Sequence, residues 1–199
     1  MSRIALDRWE AAQTAEFGHH QDLRLEAYIT ATNVIGKYLG IDYKEDFKDK
    51  VIVQVGAGPR GSILSTKGAF KRGIVVEPLI DRWPSNIRED YEEVGIEIIA
   101  APYEDLEIDE KVDETWFFNV VQHVFDPKEQ LELAKKTSKV IRVFEPIGTS
   151  TDTAHPHYIT EETFTDVLGN FGQIFEGGTE QGFFSCDCYY GTWYETDNV

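Results

Sequence analysis

Five short, almost wholly apolar runs follow one another between residues 51 and 144 and restrict the fold more than any other feature. They are VIVQV (51–55), GIVVE (73–77), GIEIIA (95–100), TWFFN (115–119) and KVIRVF (139–144). A strand that is covered on both faces has such a continuous apolar sequence, whereas a strand with one solvated face alternates. The runs therefore predict five buried strands of a parallel sheet.

The segments between these runs indicate how the strands are connected. Three of them have helical periodicity, at about 62–70, 80–93 and 127–137, and the link from Ala101 to Glu114 is shorter. Strands that alternate with helices form parallel sheets through right-handed crossovers. The sequence thus predicts an α/β fold with an open, doubly wound, Rossmann-like sheet.

Both ends of the chain add elements to this sheet. Apolar residues at three- and four-residue steps predict two amphipathic helices, from Ile4 to Phe17 and from Asp22 to Leu39, with Gly40 as a stop. Near the other end, Thr160 is the expected N-cap of a helix. Residues 172–194 predict two strands around EGGTEQG, an antiparallel hairpin that brings the total to seven strands.

Length and composition limit the class of protein. A chain of 199 residues has the size of one domain, here a helical cap (1–45) on a Rossmann-like core (46–199). Its net charge of −17 argues against duplex nucleic acid as a partner. No apolar run approaches the ~18 residues of a membrane span, and two cysteines without a disulfide framework predict free thiols in a reducing cytoplasm.

A glycine-rich loop follows the first predicted strand directly. Gly56, Gly58 and Gly61 in GAGPRG satisfy the G-x-G-x-x-G pattern between a strand and a predicted helix. Glycine allows a sharp turn and a close approach of the backbone to a ligand, and a following helix offers free N–H groups to an anion. The loop therefore predicts a nucleotide-type ligand.

An acid stands where such a ligand would present its sugar. Glu77 ends the second predicted strand, 21 residues after Gly56, which is the position where a carboxylate accepts hydrogen bonds from ribose hydroxyls. Glycine loop and acid together are compatible with a nicotinamide cofactor and with S-adenosylmethionine.

Four segments in order give a more specific indication: IVQVGAGPRG, VVEPLIDRW, FFNVVQHVFDP and HPHYITEETF. Together they resemble the class I S-adenosylmethionine-dependent methyltransferases, in particular the small type 11 group. The opening RWEAAQTAE is similar to a segment whose helices cover the cofactor cleft in that group, although Trp9 and Gln13 also suit a purely structural cap. The resemblance implies nine cofactor-binding residues: Gly56, Ala57, Gly58, Gly61, Glu77, Pro78, Tyr103, Glu104 and Asn119.

Two positions depart from the family pattern. Gln54 stands where an acid usually lies near the cofactor's amino group, and Pro102 stands where an Asp usually binds the adenine amine. Glu104 is expected to take over part of the adenine contact. These departures leave open a catalytically silent, methyltransferase-like binding protein.

Three histidines are the catalytic candidates. An oxygen acceptor must lose its proton, a task that suits imidazole. His123 follows the fourth strand, and His155 and His157 flank Pro156, which predicts that their rings point apart, one toward the cleft and one into the loop. Their spacing supplies no further ligand, so the sequence predicts no metal site.

The expected function is methyl transfer from S-adenosylmethionine to a small-molecule acceptor, a hydroxyl of a sugar or similar metabolite. A silent relative is one alternative. The other is an NAD(P)-dependent oxidoreductase, whose short-chain form requires a Tyr-x-x-x-Lys pair that the chain lacks.

Overall fold

The computed structural model describes residues 3–21, 24–108, 110–177 and 186–196. Seven strands form one sheet in the order β3-β2-β1-β4-β5-β7-β6. The first five are parallel, while β7 runs antiparallel to both β5 and β6. The predicted mixed α/β sheet of seven strands is therefore confirmed; its strands are Val51–Val55 (β1), Arg72–Val76 (β2), Ile96–Ile99 (β3), Val112–Phe118 (β4), Ser138–Pro146 (β5), Gly172–Phe175 (β6) and Cys188–Tyr194 (β7).

Among the described residues, five α-helices accompany the sheet: Leu6–Gln21 (α1), Leu25–Leu39 (α2), Ser85–Glu93 (α3), Pro127–Thr137 (α4) and Glu161–Leu168 (α5). Gly40 ends α2 in a left-handed conformation (φ 63°) and donates its N–H to Gly36 O. Thr160 caps α5 through a capping box with Thr163. Both signals predicted from the sequence are present, because each depends only on neighbouring residues.

The two faces of the sheet bury separate hydrophobic cores. Side chains alternate along β1, so Ile52 packs with α2 and α3 on one face and Val53 packs with α4 and α5 on the other. Trp116 on β4 is fully buried on the first of these faces. Coverage of both faces is the reason that the strands are apolar throughout.

The prediction of a helix at 62–70 is wrong. Two short 3₁₀ segments, Gly58–Arg60 and Ser62–Thr66, stand there instead. The second ends at Lys67 and Gly68, which both have positive φ (51° and 80°). Reversal of the chain after only five residues leaves too little length for α-helical hydrogen bonding.

Some predicted boundaries fall outside the described residues or shift. Asp22, the expected start of the second helix, lies outside them, as do residues 178–185 in and after the predicted hairpin turn. Cys186 precedes β7, so only Cys188 is a strand residue, and both thiols are free. Every helix in the described part of the chain is too short or too polar to cross a membrane.

Candidate active site

A cleft opens at the carboxyl ends of β1, β2 and β4, the edge of an open α/β sheet at which ligands bind. It encloses about 970 Å³ of space, part of which is open solvent at its mouth. Helices α1 and α2 form its outer wall. We call it the cofactor cleft, and all nine residues assigned to cofactor binding by the resemblance line it: Gly56, Ala57, Gly58, Gly61, Glu77, Pro78, Tyr103, Glu104 and Asn119.

The glycine loop crosses the floor of the cofactor cleft. Gly56 and Gly58 have φ of 57° and 61°, a region that L side chains rarely adopt. A Cβ at Gly56 would also lie 2.1 Å from Cγ2 of Val120. The loop thus requires glycine at Gly56 both for its turn and for its close packing against the exit of β4.

The N–H groups after the loop are occupied by side chains rather than free. Gly61 donates to the hydroxyl of Tyr91 (2.7 Å) and Ile63 to Oε1 of Gln54 (2.8 Å). The expected helix N-terminus with free donors is therefore absent here, as a consequence of the short 3₁₀ geometry. Gln54, which departs from the family pattern, is buried and supports the loop.

Glu77, the acid predicted to bind the ribose, forms a hydrogen bond with the glycine loop. Its Oε2 accepts from the Gly58 N–H (2.7 Å) and its Oε1 from the Leu79 N–H (2.9 Å). Burial raises the pKa of this carboxyl, and the two backbone hydrogen bonds oppose the rise. Each oxygen has a further lone pair for a ligand hydroxyl.

Glu104 and Gln130 line the same cleft, and each has side-chain oxygen atoms that are buried and accept no hydrogen bond. Both carboxylate oxygens of Glu104 and Oε1 of Gln130 are of this kind. Burial raises the pKa of Glu104, although Gln130 and the backbone of Asp126 lie close enough to oppose the rise. Unpaired buried acceptors are costly, so this corner of the cleft is suited to a ligand that donates hydrogen bonds. Tyr103, by contrast, points its hydroxyl away, to Thr137 (3.3 Å).

Asn119 joins the cofactor cleft to a second one. It follows β4 with φ 60°, and its Oδ1 accepts from Nε2 of Gln122 (3.0 Å). Beneath it, the fully buried carboxylate of Glu145 accepts from the N–H of Val120 (2.8 and 3.0 Å) and of Val121 (3.2 Å). Glu145 therefore fixes the turn that presents Asn119.

Burial raises the pKa of Glu145 from 4.5 to about 8, against the opposing effect of its backbone donors. Because the folded pKa lies above the unfolded one, the stability from this group is fully present below about pH 4.5 and is lost as the pH rises through about 8. We expect Glu145→Gln, which keeps a neutral acceptor, to melt higher than the wild type at about pH 8 and to lose less stability between about pH 5 and 8. Thermal melts across this range test it, and parallel curves for the two proteins would contradict it.

The second cleft adjoins the cofactor cleft and encloses about 660 Å³ including its mouth. Four residues line both: Glu16, His20, Asn119 and His123. His155, Thr149 and Gln122 are among its other wall residues. We call it the acceptor cleft, because its polar walls lie beside the junction at Asn119.

His123 and Glu16 form the shared wall. Nδ1 of His123 lies 2.8 Å from Ala154 O and 3.7 Å from Oε2 of Glu16. Burial lowers the pKa of His123, with Glu16 opposing. Burial acts to raise the pKa of Glu16, but His123 and His20 outweigh it and lower that pKa to about 2. Glu16 is thus ionised and His123 neutral near pH 7.

The other two catalytic candidates, His155 and His157, point in different directions. The His155 ring packs against that of His123 at a tilt of 45°, with ring centroids 4.9 Å apart, and its Nδ1 lies 2.9 Å from Oδ1 of Asp152. His157 is buried and lines neither cleft, and its Nε2 lies 2.8 Å from Val124 O. The structure therefore brings His123 and His155 together and places His157 in the packing of the loop.

Helix α1 covers both clefts. Gln13 donates from Nε2 to His123 O (3.1 Å), Trp9 stacks on Phe125 at 4.3 Å, and Phe17 packs on Trp83 at 4.6 Å. Trp9 and Gln13 thus serve as a structural cap and also line the cofactor cleft. Sequence reasoning missed Glu16 and His20 in this helix, because polar residues on a surface helix are ordinarily solvated.

Solved structures of methyltransferases have similar folds. A 1,6-didemethyltoxoflavin N1-methyltransferase from Burkholderia thailandensis matches at TM-score 0.65 and 16% identity over 99% of this chain and 93% of its own. A phosphoethanolamine N-methyltransferase from Haemonchus contortus matches at TM-score 0.67 and 11% identity over 98% of this chain. The match covers only 51% of that protein's own length. A magnesium protoporphyrin IX methyltransferase from Synechocystis matches at TM-score 0.58 and 14% identity over 88% of this chain and 83% of its own.

No protein-family model and no curated protein matches the sequence. The likeness therefore concerns the fold, which in the described part of this chain is a seven-stranded sheet with a cleft at its carboxyl edge, where β7 runs antiparallel to the other six strands. This chain has the fold of the class I methyltransferases.

Proposed function

We propose that the chain binds S-adenosylmethionine in the cofactor cleft and transfers its methyl group to a hydroxyl of a small molecule, such as a sugar, in the acceptor cleft. Residues 1–45 act as the cap over a single catalytic domain. The observation that carries the proposal is the contact between Glu77 and the glycine loop (2.7 Å from Oε2 to Gly58 N) in a cleft that meets a second, polar one at Asn119.

The polar groups of the cofactor cleft fit this ligand. Glu77 has lone pairs for the two ribose hydroxyls, and Gly56 and Gly58 line the cleft beside it, where the amino-acid end would lie. The unpaired oxygens of Glu104 and Gln130 suit the two hydrogens of the adenine amine. They provide a donor-binding corner although Pro102 replaces the usual Asp.

His123 is the proposed proton acceptor. S-adenosylmethionine, when bound, supplies a methyl group on a positively charged sulfur that leaves as a neutral thioether as the acceptor oxygen is methylated and its proton is released. Since Ala154 O only accepts hydrogen bonds, Nδ1 of His123 carries the hydrogen and Nε2 keeps its lone pair. Burial keeps the ring neutral, so Nε2 can take the proton of the acceptor hydroxyl.

The acceptor cleft is suited to a hydroxylated molecule. Gln122 and Thr149 line it, and Oε1 of Gln122 and Oγ1 of Thr149 are buried without a hydrogen-bond partner. A ligand with several hydroxyls can satisfy both, since each hydroxyl donates and accepts. The similar solved structures support a small acceptor, because those from Burkholderia thailandensis and Haemonchus contortus are named for small-molecule substrates and contain S-adenosylhomocysteine.

Calorimetry tests the cofactor assignment. We expect one equivalent of S-adenosylhomocysteine to bind with micromolar affinity and NADPH to give no heat. Binding of NADPH alone would overturn the proposal in favour of an oxidoreductase. Methyl transfer from labelled S-adenosylmethionine to a panel of sugars then tests activity, and cofactor binding without transfer to any acceptor class would identify a silent relative.

A further inference from the structure

Three side chains of the acceptor cleft form a cluster of metal-ligating groups. Glu16 on α1, His123 after β4 and His155 in the loop before α5 each contribute one donor atom, and these atoms lie within 4.8 Å of one another. The three residues are 107 and 32 positions apart along the chain (123 − 16 and 155 − 123). Only the fold brings them together, which is why the spacing of the histidines alone predicted no site.

Two imidazoles and one carboxylate are a donor set with a known preference. Zn²⁺ in catalytic sites is held by three protein ligands, among them the His₂Glu set, with further positions left open. Imidazole also suits iron, nickel and copper, whereas Mg²⁺ and Ca²⁺ favour oxygen donors. We propose that Glu16, His123 and His155 bind a divalent transition metal ion, of the zinc type, in the acceptor cleft.

The surroundings of the cluster support this assignment independently. Metal-binding histidines usually donate their other ring N–H to a carboxylate or a carbonyl. Asp152 stands at this position for Nδ1 of His155 (2.9 Å), and Ala154 O for Nδ1 of His123 (2.8 Å). His20 holds Oε1 of Glu16 (2.7 Å), which leaves Oε2 facing the His123 ring, 3.7 Å from its Nδ1. Each proposed ligand is thus oriented by a second group.

Only a small contraction is needed to bind an ion. Ligand atoms at about 2.0–2.1 Å from a tetrahedral ion lie roughly 3.3 Å apart, compared with a spread of up to 4.8 Å here. The His155 side chain is 34% exposed and Glu16 14% exposed. Rotation of these two side chains toward the buried His123 can close the difference.

The position of the site suggests what the ion would do, and this step rests on the proposed function. Three protein ligands leave at least one position open toward the acceptor cleft, beside Asn119 and Thr149. An acceptor that presents an oxygen, such as a vicinal hydroxyl pair, would occupy it. In the zinc-bound form Nε2 of His123 would be a metal ligand and the acceptor proton would leave to solvent, so the role of proton acceptor proposed above belongs to the zinc-free form.

Calorimetric titration of the chelator-treated, full-length protein with ZnCl₂, in the absence of S-adenosylmethionine, tests the proposal. We expect one Zn²⁺ per chain at micromolar affinity or tighter. His155→Ala and Glu16→Gln should each weaken binding at least about tenfold, and Asp152→Asn should weaken it about tenfold through the orientation of His155. His19→Ala is the matched control: His19 is exposed, lines the same cleft and lies outside the cluster, so its loss should leave affinity within about twofold.

Three results would overturn the zinc site. The first is absence of Zn²⁺ binding to the wild type, and the second is equal affinity in His155→Ala and the wild type. The third is loss of binding in Cys186→Ser with retention in His155→Ala, which would assign the ion to the thiol. Binding of S-adenosylhomocysteine is measured on the same variants, so loss of Zn²⁺ with intact cofactor binding leaves the proposed function standing.

Discussion

His123→Ala is expected to lower kcat by about 10²–10⁴-fold, the usual contribution of a positioned general base, while the affinity for S-adenosylmethionine changes little. The ring stands in the wall shared by the two clefts, and its Nδ1 is held by Ala154 O, so Nε2 is the group available to the acceptor. Steady-state kinetics with calorimetric cofactor titration measure both quantities. An equal loss of turnover and of cofactor affinity would assign His123 a structural role.

His123→Asn is the matched control for this prediction. An asparagine amide can donate to Ala154 O as Nδ1 does, but it is neither a base nor a competent ligand for zinc. Activity near the wild-type level in His123→Asn would show that the hydrogen bond to the loop matters and the imidazole does not. The pH profile of kcat/KM adds a second readout, because a neutral His123 as base gives a rate that falls below its pKa.

The sequence correctly predicts that the glycine loop and Glu77 meet at one edge of the sheet, for a physical reason. Gly56 and Gly58 follow β1, Glu77 follows β2, and the carboxyl ends of neighbouring parallel strands lie at the same edge of the sheet. The apolar runs specify those strands, so the contact between loop and acid follows from topology alone. Caps such as Thr160 are equally local and are also correctly predicted.

The acceptor side could not be predicted in the same way. Glu16 and His20 face the clefts because α1 packs across the sheet edge through Gln13, and a buried polar residue on a helix has no distinct sequence signal. Glu145 reads as the end of a strand, yet it is completely buried under the β4 exit. The prediction of a helix at 62–70 is wrong for a related reason. The Ile63 N–H donates to the side chain of Gln54, nine residues earlier in the chain, instead of to a helical carbonyl.

Glu77→Gln is expected to raise the dissociation constant for S-adenosylmethionine about tenfold or more, or about 1.4 kcal/mol, because the amide NH₂ of glutamine cannot accept a hydrogen bond from a ribose hydroxyl as the oxygen that it replaces can. Alanine is a less informative change. It would leave the N–H groups of both Gly58 and Leu79 unpaired in a buried site, whereas glutamine keeps an acceptor oxygen for one of them; each unpaired group costs about 1–3 kcal/mol. Weaker binding by Glu77→Ala could then reflect a distorted loop.

A double-mutant cycle makes the assignment specific to the ribose. S-adenosylhomocysteine and its 2′,3′-dideoxy analogue are titrated into the wild type and Glu77→Gln. If the carboxylate accepts from those hydroxyls, the wild type should discriminate between the two ligands more strongly than the variant, by a coupling of about 0.5–3 kcal/mol. A change in the loop would instead weaken both ligands equally, with no coupling. Equal discrimination by the two proteins would therefore remove Glu77 from the ribose site, even if both ligands bound the variant more weakly.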